Sequence, residues 1–115
     1  MNLEDESENE EWKKMTNVWL HNYGRSDSYV INAPPSQGVM AAFNLREFKV
    51  EESKGRYIVV DYELYDFRNS ARKIEIKGER DSREGALSLA YDSAKDWATA
   101  LSSKYGIRYT EGLKD

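Results

Sequence analysis

The chain of 115 residues has no cysteine. Disulfides and thiolate metal sites are therefore excluded, and an intracellular setting, cytoplasmic or nuclear, is the expectation. Proline occurs only twice, as Pro34-Pro35, and forbids a helix across that point. No apolar run approaches the length of a bilayer span, so no membrane association is expected. The first residues are acidic rather than basic then apolar, unlike a signal or transit peptide. There is one histidine, His21, and no glycine-rich phosphate loop, nucleophile elbow or histidine metal motif. No cofactor is implied, and the sequence leans away from an enzyme.

Hydrophobic residues make up 39% of the chain and charged residues 33%, the balance of a folded domain rather than a disordered chain. Its length suits one domain with one core. The net charge of -4 is concentrated at the start: residues 1–24 carry six acids against Lys13 and Lys14. Residues 46–109, with 13 Lys/Arg and 12 Asp/Glu, are close to neutral. A globally acidic chain is poorly suited to sequence-independent phosphate binding, although a local basic stripe escapes that argument.

Residues 1–6 read as a disordered acidic tail, and 7–115 as a single domain. Ser7 and Glu10 form a capping-box pattern. Trp12, Met15, Trp19 and Tyr23 follow at helical spacing, so a helix is predicted from about Glu8 to Tyr23, ended by Gly24. His21, near its end, reads as a surface or capping side chain. Residues 25–45 form a long irregular segment, with short extended pieces expected at Ser28–Ile31 and Val39–Phe43.

Three strands are predicted next, over Glu47–Glu52, Tyr57–Tyr65 and Arg72–Lys77, joined by turns at Ser53–Arg56 and Asp66–Ala71. Phe48, Val50, Ile58, Val60, Tyr62, Leu64, Ile74 and Ile76 are assigned to an inward face. Tyr57, Val59, Asp61, Glu63 and Tyr65 are assigned to an open one. A last helix, capped by Asp81 or Ser82, runs to about Lys104 before Gly106. Its stripe of Ala86, Ala90, Ala94, Trp97, Ala98 and Leu101 is narrow enough to lie close against the aliphatic wall. Ile107–Tyr109 adds a short final strand.

The order helix, three strands, helix resembles the double-stranded RNA-binding domain over residues 47–97. The stretches FKVEESKGRYIVVDYEL and KGERDSREGALSLAYDSA carry the resemblance. It implies an α+β fold of α-β-β-β-α order, with a three-stranded antiparallel sheet packed on two helices. It also implies duplex-RNA contacts through the start of the last helix and the loop between the first two strands. At the family's lysine positions stand Arg83, Glu84 and Leu87, and that loop offers Lys54 and Arg56. With Lys77 and Arg80 these make a basic line: Lys54, Arg56, Lys77, Arg80 and Arg83.

The expected function is thus a non-enzymatic binding module. Its partner is either duplex RNA, through the basic line, or a protein, through Tyr57, Val59 and Tyr65 on the open face. An edge strand offers a route to homodimers. A reading from a different class rests on Asp61, Glu75 and Lys77, which resemble the D…E-x-K signature of restriction-endonuclease-like nucleases. Two carboxylates and a lysine on adjacent strands are the equipment for Mg²⁺-assisted hydrolysis. The same residues also read as cross-strand salt pairs.

Overall fold

The computed structural model describes residues 17–22, 26–33, 43–65 and 70–113. In chain order these form β1 (Asn17–His21), β2 (Ser28–Ala33), β3 (Phe43–Ser53), β4 (Arg56–Tyr65), β5 (Ser70–Arg80), α1 (Arg83–Tyr105) and β6 (Arg108–Gly112). The strands make one sheet in the order β5-β4-β3-β2-β1-β6. All neighbours run antiparallel except β1 and β6, which are parallel. The expected three-stranded sheet on two helices is therefore corrected. The meander β3-β4-β5 is half of a six-stranded mixed sheet, and α1 is the one helix among the described residues.

The largest single correction concerns the first element. Asn17–His21, assigned to a helix, is a strand. Its Val18 and Leu20 point at α1 and are fully buried. Five residues are too few for periodicity to separate a helix from a strand. What decides here is pairing with two distant partners, Trp19 opposite Asn32 on β2 and beside Thr110 on β6. His21 is correspondingly a buried strand residue, not a helix cap. The expectations for residues 1–16 and for 34–42 lie outside the described residues.

The β3–β4 hairpin closes through Lys54 and Gly55, both at positive φ, and pairs Ser53 with Arg56. A two-residue turn of this kind matches the strand twist and fixes the register. Val50 then stands opposite Val59, and Phe48 opposite Asp61. Residues directly opposite share a face, so Val59 and Asp61 join Phe48 and Val50 beneath the helix. The two faces assigned to β4 are thus exchanged. Val59 is fully buried, and Tyr57 packs against the same core. The far face is not bare either, since Val30, Val60 and Ser28 are buried there.

The helix is as its sequence indicates. Ser82 caps it by accepting a hydrogen bond from the Gly85 amide, and Gly106 ends it at φ 66. Ala86, Ala90, Ala94 and Ala98 have no exposure at all, and Leu101 is buried beyond them. Small side chains every fourth residue let the axis sit close over the sheet. Gly78 of β5 completes the fit: a Cβ there would stand 2.6 Å from Leu89 Cδ2. The third strand of the meander, predicted over Arg72–Lys77, thus runs on through Gly78 to Arg80.

No helix among the described residues is long and apolar enough to cross a membrane.

Candidate functional site

β5 is the outermost strand on its side, and no strand among the described residues pairs with its free edge. It is 11 residues long, a span of roughly 36 Å. Ile74 and Ile76, expected inside, are exposed to 38% and 55%. The cause is in the register. Between Val59 and Val60, and again between Asp61 and Tyr62, one residue of β5 is inserted without a partner on β4. These β-bulges, at Lys77 and Ile74, bend the strand and break its alternation. The isoleucines are therefore released from any regular inward face, and most of β5 is left in solvent.

The basic line is interleaved with acids. Arg56 forms ion pairs with Glu79 and Asp81. Lys77 Nζ donates to Glu75 Oε1 at 2.8 Å. That pairing holds the Glu75 carboxyl below its ordinary range. Arg80 donates to the carbonyl of Glu79 at 2.8 Å, and Arg83 to the carbonyl of Ser26. Lys54 stands exposed at the hairpin tip. Four of the five cations thus have partners within the chain, and the line alternates in sign.

The acidic constellation is also partly assembled, but to another end. Asp61 and Glu75 are opposite one another on β4 and β5. Asp61 is 3% exposed, however, and its carboxylate is gripped by Arg46, whose Nε and Nη2 donate to Oδ1 and Oδ2 at 2.9 and 2.6 Å. The guanidinium lies over the Trp97 ring, 4.9 Å from its centre. A fork of this geometry occupies both carboxylate oxygens, so a cation at Asp61 would have to displace Arg46. Among the described residues no group of three or more His, Asp or Glu side chains is placed to hold a metal ion. The only mark of Arg46 in the sequence is its position, two residues before Phe48 and so on the same face as the Phe48–Asp61 pair.

The opposite edge differs. β6 has five residues and is tied to the helix. Glu111 accepts hydrogen bonds from the hydroxyls of Tyr91 and Tyr109, with Lys95 at 4.0 Å. These bonds lower the Glu111 carboxyl below its usual value. The same Glu111 bond raises Tyr91 to about 12, while burial first and that bond second raise Tyr109 further. Tyr91 also meets Tyr29 edge-on at 5.6 Å between ring centres. A short, clamped edge offers little to an incoming strand, and a long one with exposed isoleucines offers much.

Of the three aromatic and aliphatic residues expected on an open face, Val59 and Tyr57 thus belong to the helix side. The side chain of Tyr65 lies outside the described residues. Comparison with family models, with curated proteins and with solved structures yields no match.

Proposed function

We propose that this chain is a non-enzymatic protein-interaction module that receives an extended strand along the free edge of β5. The observation that carries the reading is an edge strand of 11 residues with two solvent-facing isoleucines. An unpaired edge presents a row of backbone N–H and C=O groups, and strand addition satisfies them while exposed side chains select the partner. The rest of the sheet is a suitable base. β4 behind it is rigidly placed by Val59 and Val60, buried on opposite faces.

The same residues favour a protein over duplex RNA as occupant. A phosphate track needs uncommitted cations, and Glu75, Glu79 and Asp81 stand among Arg56, Lys77 and Arg80. The test uses Ile76→Lys, a change at an exposed position that leaves the core untouched. A protein that co-purifies with the wild-type chain is expected to be lost from this variant. Retention by the variant removes β5 as the site. A duplex-RNA gel shift that falls steeply with salt and vanishes in Arg83→Glu would instead favour the nucleic acid.

A further inference from the structure

We infer that the strand β5 receives is β5 of a second copy, antiparallel and centred on Ile76. The inference rests on the strand-acceptor reading above and names the occupant. Its basis is the charge order of Lys73-Ile74-Glu75-Ile76-Lys77-Gly78-Glu79. With Ile76 opposite Ile76 of the second copy, Glu75 faces Lys77 and Lys73 faces Glu79, each twice by symmetry. Four opposite-charge pairs surround one apolar contact, added to the pairs that Lys77 and Glu79 already make with Glu75 and Arg56 within each chain. Moving the centre to Glu75 sets Glu75 against itself and Lys73 against Lys77, so like charges meet.

The faces agree with this register. Lys73, Ile76 and Glu79 stand opposite Tyr62, Val60 and Ile58 of β4, all on the side away from the helix. Glu75 stands opposite Asp61 on the helix side, and Lys77 reaches the same side to meet it at 2.8 Å. Each proposed pair therefore joins side chains of one face, as antiparallel neighbours require. Ile74 falls opposite Gly78, which has no side chain of its own and is packed over by Leu89 of the helix. At the ends Arg72 faces Arg80, but Arg72 is neutralised within its own chain by Glu63 at 2.9 Å.

Pairing of this kind also terminates. A two-fold contact uses the same edge in both copies and closes on itself. The remaining outer edges among the described residues are the two short β6 strands, each clamped to its helix through Glu111. The product is a dimer with a continuous sheet of twelve strands, twice the six of one chain.

The experiment is sedimentation of the full chain over a wide concentration range. The wild type is expected to convert from monomer to dimer as concentration rises, and Ile76→Lys to remain monomeric. Glu75→Lys and Lys77→Glu each place two like-charge pairs in the dimer, and each is expected to weaken it by roughly tenfold or more. Mixed together, the two variants regain opposite-charge pairing and are expected to form a heterodimer tighter than either homodimer. A wild-type chain that stays monomeric throughout overturns the second copy as occupant. So does a mixture no tighter than its components. If such a monomer still loses a co-purifying protein on Ile76→Lys, the strand-acceptor reading stands and only its occupant changes.

Discussion

Replacing Asp61 with alanine removes one partner of a buried ion pair and leaves the other in place. Arg46 would lose both of its short bonds, at 2.9 and 2.6 Å, while its side chain is only 17% exposed. Breaking such a pair costs about 3–5 kcal/mol, because the remaining charge is stranded in a poor solvent. Arg46 keeps the Trp97 face and some access to water, so about 3 kcal/mol is expected for Asp61→Ala. The opposite change, Arg46→Met, strands a carboxylate that is 4% exposed, and it should cost more, about 4–5 kcal/mol. The double change Arg46→Met with Asp61→Leu removes both charges and fills the space with apolar atoms. It should lie within about 1 kcal/mol of the wild type or exceed it in stability. Urea unfolding followed by far-ultraviolet circular dichroism reads all four stabilities, compared at a common slope. Two single losses below about 1 kcal/mol, or a double variant less stable than either single one, would refute the pair as described.

Other outcomes follow from packing and titration. Gly78→Ala should destabilise by no more than about 1 kcal/mol, because Leu89 Cδ2, 2.6 Å from the new Cβ, must turn aside, and by less in a Leu89→Ala background. Thermal midpoints of the four chains test this, and equal costs in both backgrounds would contradict it. Gly106 sits at φ 66 with open space around it, so Gly106→Ala should cost about 1 kcal/mol from backbone strain alone, read by the same unfolding curves. Tyr62, bonded to Glu51, and Tyr91, bonded to Glu111, are raised to about 12. Their stabilisation is complete below the ordinary tyrosine value and is lost as pH rises through about 12. Phenolate absorbance should lose a step near pH 12 in Tyr62→Phe and again in Tyr91→Phe, and an unchanged titration above about pH 11 in both variants would refute the assignment. Glu111 is lowered, so its contribution is present above the ordinary carboxylate value and fades as pH falls through its folded value. Glu111→Gln should flatten the acid limb of the stability–pH curve.

The helix Arg83–Tyr105 was legible because all its signals are local: a serine cap, alanines at a four-residue step and a closing glycine. β1 was not, because its five residues owe their shape to β2 and to a β6 some ninety positions later in the chain. The exchanged faces of β4 have a different origin. Ile58 and Val60 alternate as well as Tyr57 and Val59 do, so hydrophobicity does not choose between them. The turn does, since a two-residue Lys54-Gly55 loop places Val50 against Val59 and leaves one answer. That information was present in the sequence and outweighs composition. The exposure of Ile74 and Ile76 was not present, because nothing local marks the two inserted residues of β5. Of the candidate site, the charged residues could be named from sequence, but their commitments to one another could not. The guanidinium that occupies Asp61 comes from Arg46, fifteen positions away on a neighbouring strand.

Site-resolved amide hydrogen exchange directly addresses the edge of β5 that no strand among the described residues pairs with. In the Ile76→Lys chain, the β5 amides that point away from β4 should exchange rapidly, while those of β4 stay protected. In the wild-type chain at concentrations where it is paired, the outward amides between Lys73 and Glu79 should become slow. Equal protection of those amides in both chains, whether slow or fast, would contradict an edge that recruits a strand.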